Sequence, residues 1–186
     1  MRADVQPGDV LLVRLPSTSL SVRIVEWLIS LGATLRREPP QWTHVIIAHH
    51  TDEAGVFWGI QGQPGVVGWV DLTPYLAAGS TALTNSAQPK TKGDRKLICD
   101  ALLPLVGVAE YDWVAIGVDA VIATGALAWA DPIWKAVGRW GSTAPGHVVC
   151  SSVADWVYGR TGLKAPAAGR FTTPGDWAQF IQRGAW

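Results

Sequence analysis

The chain has 186 residues, of which 48% are hydrophobic and 16% charged, and its formal net charge is zero. This length suits one domain with a sizeable core and argues against a second full domain. The balanced charge excludes the basic surface that a nucleic-acid binder needs, so we expect no nucleic-acid partner. Two cysteines, Cys99 and Cys150, are too few for a disulfide framework, although a single bridge between them stays open. We expect Cys99 to be buried and Cys150 to be the working thiol.

Short apolar runs bounded by turn residues dominate the first half of the chain. They predict strands at Val10–Leu15, Val45–Ala48, Val56–Ile60 and Val66–Val70. Apolar residues at helical spacing predict a helix over Ser19–Leu31. The N-terminus lacks the apolar region of a secretory signal, so we expect no signal peptide and synthesis in the cytoplasm.

The second half is predicted to be mainly helical. Polar residues from Gly79 to Asp94 predict a connecting loop. Helical spacing from Leu97 to Val106 predicts a helix whose last turn is disturbed by Pro104. A short final helix is predicted over Trp177–Ile181, with Thr173 as its cap.

An apolar helical insert is expected at about residues 114–140. Its most apolar part, Val114–Ala130, is just short of a membrane span and carries Asp119 near its centre. Because a central charge is costly in a bilayer, we prefer a buried or partner-facing helix, with membrane contact left open.

Cys150 is predicted to lie at the start of a helix. Val153, Trp156 and Val157 form an apolar stripe at helical spacing, and Gly159 and Gly162 are stop signals. Unpaired backbone N–H groups and the helix dipole favour an anion at this end. A thiol placed there is therefore biased toward the nucleophilic thiolate.

A thiolate nucleophile needs an imidazole within hydrogen-bond reach and a third polar group that orients the ring. His44 begins a predicted strand that returns through the Thr51–Gly55 turn. Antiparallel pairing then sets His44 opposite Gln61 or Gln63, depending on the centre of the turn. Either amide oxygen could accept from the imidazole, and the turn residues do not choose between them.

The other histidines are weaker candidates. His49 and His50 lie at the far end of the strand from His44 and are predicted to be an exposed turn pair. Two adjacent histidines supply too few ligands for zinc, and no other spacing matches a metal site, so we expect no metal or cofactor. His147 precedes Cys150 by three residues in a loop, which would hold a base poorly. On physical grounds alone, a lone cysteine or histidine is more often structural, so the order of several features must decide.

That order resembles a circularly permuted member of the NlpC-type, papain-like cysteine peptidase superfamily, in which the histidine strand precedes the cysteine helix. The motifs that carry the resemblance are Pro7-Gly8-Asp9-Val10, Trp42-Thr43-His44-Val45, Tyr111-Asp112-Trp113, Cys150-Ser151-Ser152 and Thr173-Pro174-Gly175-Asp176. The resemblance implies an α+β papain-like fold, in which a small antiparallel sheet packs on the nucleophile helix. It also implies Cys150 as nucleophile, His44 as base, Gln61 as the orienting residue and Tyr111 near the substrate.

By the same resemblance, the expected activity is hydrolysis of an amide bond in cell-wall (peptidoglycan) peptides. Two features depart from the family: Gln61 is neutral, and Val149 stands where acyltransferase-like members usually carry Asn. A lipid-directed thiol acyltransferase or thioesterase, and a non-catalytic binding module on the same fold, are the alternatives. Without a signal peptide, a cell-wall substrate would require delivery by a lysis system, a virion or a specialised secretion route. The sequence does not indicate which oligomeric state the protein adopts.

Overall fold

The computed structural model describes residues 4–14, 39–63, 66–77, 82–108, 110–111, 147–148, 150–166 and 172–186, with single positions between 23 and 34. The described strands are β1 (Val10–Val13), β2 (His44–Thr51), β3 (Phe57–Gln63), β4 (Val66–Asp71), β5 (Leu83–Thr84), β6 (Glu110–Tyr111) and β7 (His147–Val148). The described helices are α1 (Thr73–Leu76), α2 (Lys92–Leu102), a 3₁₀ turn (Leu103–Leu105), α3 (Cys150–Thr161) and α4 (Pro174–Arg183). The protein therefore has an α+β fold.

The core is built on a five-stranded antiparallel sheet with the strand order β4-β3-β2-β1-β5. Successive side chains of a strand point to opposite faces, and both faces of this sheet are buried. The first face, here called the helix face, packs against α2, α3 and α4 and includes Val10, Leu12, Val45, Ile47 and Ile60. The second face includes Leu11, Val13, Ile46 and Ala48, covered in part by Leu72 and Leu76. Burial on both faces explains why β1 and the first part of β2 are continuous apolar runs.

The predicted strands are confirmed, with different ends. β2 starts one residue earlier than expected and runs to Thr51, because His49 and His50 belong to the strand and not to the turn. β3 extends to Gln63, so Gln61 lies inside it. The prediction of a loop over Gly79–Asp94 is wrong in two places: it contains β5, and α2 begins at Lys92.

Local capping explains where two helices begin. Thr91 accepts from the backbone N–H of Asp94, whose carboxylate accepts in turn from the Thr91 N–H, so α2 starts well before its first apolar residue. Thr173 and Asp176 form the same box at α4, as the predicted Thr173 cap requires. The irregular last turn expected at Pro104 is the 3₁₀ turn after α2.

The apolar stripes predicted for α2 and α3 are confirmed apart from one residue in each. Leu97 is 56% exposed and Trp156 is 37% exposed, the latter with the Arg160 guanidinium 5.0 Å from its ring centre. The buried side of α3 includes Val153 and Val157, as predicted, together with Cys150 and Ala154. α3 also continues through Gly159, and the chain turns only at Gly162, whose φ is +72°.

A buried polar network joins α3 to β1. Asp9 and Lys90 are fully buried and paired at 2.9 Å. The Tyr158 hydroxyl, on α3, donates to the Gly8 carbonyl at 2.7 Å and accepts from Asn85 Nδ2 at 2.8 Å. Because each of these polar groups is satisfied only in one arrangement, the network fixes where α3 lies on the sheet.

Some sequence predictions lie outside the described residues. The insert at 114–140 is among them, and of the predicted Ser19–Leu31 helix only single helical positions such as Trp27 are described. Trp27 is 60% exposed, although it was predicted to belong to the apolar stripe. Within the described parts of the chain, no helix is long and apolar enough to cross a membrane.

Candidate active site

His44 and Gln61 form a direct contact on the sheet. His44 Nε2 lies 2.7 Å from Gln61 Oε1, and both residues are buried. The observed register pairs Ile46 with Gln61. Continuing this register by two residues sets His44 opposite Gln63. The imidazole therefore bonds to its diagonal neighbour across the strand pair, which is within reach of a long side chain. Of the two glutamines that the sequence left open, Gln61 is the partner.

This contact sets the tautomer of His44. An amide oxygen has no proton to donate, so the imidazole donates from Nε2. The neutral ring then carries its lone pair on Nδ1, which is the nitrogen available to accept a proton. Gln61 thus holds the His44 ring through one hydrogen bond, and its role as the orienting residue of a thiol hydrolase site stays a prediction.

Burial determines the charge of His44. It lowers the pKa of the imidazole from 6.5 to about 4, and the hydrogen bond with Gln61 opposes this only in part. The ring is therefore neutral at pH 7 and can accept a proton. A resting thiolate–imidazolium pair is disfavoured, because neutral Gln61 adds no charge that would stabilise an imidazolium.

Cys150 is the first residue of α3, as predicted, and it is buried. It packs in the same apolar cluster as Trp42 and Val45, the residues that flank the Thr43-His44 pair. The helix itself packs on β2 and β3. Cys150 therefore belongs to the buried cluster on the helix face of the sheet.

The alternation of β2 constrains how a thiol could meet the ring. Val45 and Ile47 lie on the helix face with Cys150, whereas His44 shares the second face with Ile46 and Gln61. A contact between Cys150 and His44 must therefore be made around the first residue of the strand. Catalytic contacts in an unliganded site are often looser than in the substrate complex.

Tyr111 is brought close to the start of α3 through the backbone. β6 and β7 pair in parallel, with Tyr111 opposite Val148, two residues before Cys150. The same pairing sets His147 opposite Glu110, so His147 lies in a strand and not in a loop. The role of Tyr111 in substrate binding stays a prediction.

The first turns of α3 are tied to the segment that leads into α4, which the sequence reasoning missed. The Ser151 hydroxyl donates to the Thr172 carbonyl. Burial raises the pKa of Asp155 to about 7, and the neighbouring Thr172 and Trp177 oppose this shift only in part. An acidic residue within the apolar part of α3 was the available signal, because a carboxyl at such a position must be buried, paired or protonated.

Cys99 is less buried than was predicted, and Cys150 is the more buried of the two cysteines. No disulfide joins Cys99 to Cys150, which closes the possibility of a bridge between them. Cys99 is half-buried in α2, and burial raises the pKa of its thiol to about 11. It is therefore a poor nucleophile at neutral pH and a natural internal reference for Cys150.

Comparison with known proteins adds no relative to this description. The chain matches no family model, and neither the curated proteins nor the solved structures contain a match to it. Among the described residues, no group of three or more His, Cys, Asp or Glu side chains could hold a metal ion. The described residues thus offer a neutral, oriented imidazole at the first residue of β2 and a buried thiol at the first residue of α3.

Proposed function

We propose that the protein is a cysteine hydrolase of the permuted NlpC-type, papain-like class, and that it cleaves an amide bond through a thioester on Cys150. The observation that carries this proposal is the buried His44–Gln61 pair, which leaves Nδ1 of a neutral imidazole as the proton acceptor. It is supported by the position of Cys150 as the first residue of α3, packed with Trp42 and Val45.

The mechanism follows from the charge states. Because His44 is neutral at rest, it takes the Cys150 proton as the sulfur attacks the substrate carbonyl. The imidazolium then protonates the leaving amine, the C–N bond breaks and a thioester remains on Cys150. Water next gives a proton to His44 while its oxygen attacks the thioester, and this proton returns to sulfur as the carboxylic acid leaves. Gln61 keeps the ring oriented throughout.

The developing oxyanion needs a donor as well. The N-terminal end of α3 offers backbone N–H groups and a favourable dipole, and the Cys150 N–H is the proposed donor. Tyr111, whose backbone pairs beside Val148, is the proposed substrate contact near this position. Cell-wall peptides are the proposed substrate class, on the family resemblance alone.

One observation favours a second candidate, a non-catalytic binding module on the same fold. His44 is buried and shares the second face of the sheet with Ile46, away from the face on which α3 packs. In that case the histidine and Gln61 would be a satisfied structural pair of the core.

Turnover of purified peptidoglycan separates the two candidates. The hydrolase proposal predicts release of new amino groups by the wild type, loss of release in Cys150→Ser and in His44→Ala, and full release in Cys99→Ser. Folding of each variant is checked by circular dichroism. An active Cys150→Ala protein would contradict the mechanism, and release of fatty acid from lipid substrates without attack on cell-wall peptides would favour the acyltransferase alternative.

A further inference from the structure

His49 and His50 lie together on the helix face at the far end of β2, although adjacent residues of a strand normally point to opposite faces. The cause is a β-bulge: the register with β3 shifts between Ala48 and His50, so His49 is the extra residue. Trp69, on β4, meets both rings edge-on, with ring centres 4.9 Å and 5.2 Å away. The predicted exposed turn pair is thus an ordered histidine pair on strand β2, with His49 half-buried and His50 exposed.

The two rings face each other through the same nitrogen. His49 Nδ1 lies 2.9 Å from His50 Nδ1. The other ring nitrogen of His49, Nε2, lies 3.3 Å from the Cys99 carbonyl, which can only accept. His49 therefore carries its proton on Nε2 and directs a lone pair from Nδ1 toward His50. A hydrogen bond from one ring nitrogen to a backbone carbonyl is the usual way in which a metal-binding histidine is oriented.

We propose that His49 and His50 form a chelating site for a divalent transition-metal ion, with both Nδ1 atoms as ligands and solvent at the remaining positions. Two nitrogens that each bind a metal at about 2.0–2.1 Å are about 2.9 Å apart when the angle at the metal is about 90°, and about 3.3 Å apart in a tetrahedron. The observed separation matches the right-angled arrangement. It suits Cu(II) or Ni(II), which take square-planar or tetragonal nitrogen sites, better than tetrahedral zinc.

The surroundings support a cation at this position. Burial lowers the pKa of His49, with His50 acting in the same direction, so the ring is neutral and free to ligate at pH 7. The Asp100 carboxylate, on α2, raises the pKa of His49 and would attract a bound cation, although it also pairs with Lys96. In the metal-free protein His50 donates its Nδ1 proton to the Nδ1 lone pair of His49. When the metal takes both Nδ1 lone pairs, His50 loses this proton to solvent and takes one up at its exposed Nε2, so both rings stay neutral and no net proton is released. The site is on the opposite end of β2 from His44 and does not depend on the proposed hydrolase activity.

The test uses the full chain, purified without a polyhistidine tag, and titration calorimetry with Cu(II), Ni(II) and Zn(II) separately. We expect one equivalent of Cu(II) to bind most tightly and Ni(II) to follow. His49→Gln keeps an amide donor for the Cys99 carbonyl but lacks the Nδ1 lone pair, and His50→Gln changes only an exposed residue. Each variant is expected to weaken Cu(II) binding by about tenfold or more, the least that loss of a ligand should cost.

Spectroscopy gives an independent readout. Bound Cu(II) should show coupling to two nitrogens in its electron paramagnetic resonance spectrum and should quench Trp69. Trp69→Phe should reduce the quenching while leaving one equivalent bound. The proposal is overturned if the wild type binds no Cu(II), if both glutamine variants bind it as tightly as the wild type, or if the spectrum shows fewer than two nitrogen ligands.

Discussion

The burial of a neutral His44 makes a quantitative prediction about stability and pH. The imidazole has a pKa of about 4 in the folded protein and 6.5 when unfolded. Between these values the unfolded chain binds a proton that the folded protein does not, so acid favours unfolding. The contribution of His44 is fully present above pH 6.5 and is lost as the pH falls toward 4. At about 1.4 kcal/mol per pKa unit, the loss in the free energy of unfolding is about 3 kcal/mol.

The perturbation that isolates this effect is His44→Gln, in which the amide can still donate to Gln61 but does not titrate. Urea unfolding of both proteins is measured at pH 7.5 and at pH 4. At each pH, the free energy of unfolding of the variant is subtracted from that of the wild type. This difference should fall by about 3 kcal/mol on acidification. Asp155 and the other carboxyls titrate in both proteins and cancel. A difference that stays constant within about 0.5 kcal/mol would refute the inference that His44 is buried and uncharged.

Three further outcomes follow from the same contacts. Gln61→Glu places a carboxylate against the imidazole and should raise the His44 pKa, measured by NMR titration of its ring protons; an unchanged value would mean that residue 61 does not contact the ring. The free energy of unfolding of Asp155→Asn should rise relative to that of the wild type by about 1 kcal/mol between pH 6 and pH 8. The reason is that burial holds the Asp155 pKa near 7, so the folded wild type has to ionise a buried carboxyl over this range, whereas the amide does not titrate. Parallel pH profiles of the two proteins in urea unfolding would contradict this. Tyr158→Phe should lower the free energy of unfolding by about 1–3 kcal/mol, since the Gly8 carbonyl loses its donor and Asn85 an acceptor; an unchanged urea midpoint would show that the network contributes nothing.

Local sequence patterns predicted the elements that carry the candidate site. Short apolar runs bounded by turn residues located β1 to β4, and the capping residue Thr173 located the start of α4. The start of α3 at Cys150 was also correct, because a helix with stop glycines behind it leaves few alternatives. These features depend on residues close together in the chain.

Features that depend on distant residues were missed. The fully buried Asp9–Lys90 pair joins positions about 80 residues apart, and no local pattern distinguishes it from a surface pair. The bulge at His49 arises from pairing with β3. A register extrapolated from the centre of the turn assumes regular antiparallel pairing and therefore could not reveal it. The choice of Gln61 over Gln63 depended on a diagonal reach across the strands, which pairing rules treat as secondary to the direct neighbour.

The most direct test of a working Cys150–His44 pair is the rate of iodoacetamide labelling at each cysteine against pH, followed by mass spectrometry. If neutral His44 takes the thiol proton, the Cys150 rate should stay nearly constant from about pH 8 to pH 5, because the base is protonated only near pH 4. His44→Gln should slow Cys150 by about tenfold or more at pH 6 and leave Cys99 unchanged. A Cys150 rate that falls about tenfold per pH unit below 8.5, as for an ordinary thiol, and is the same in His44→Gln would contradict the hydrolase account.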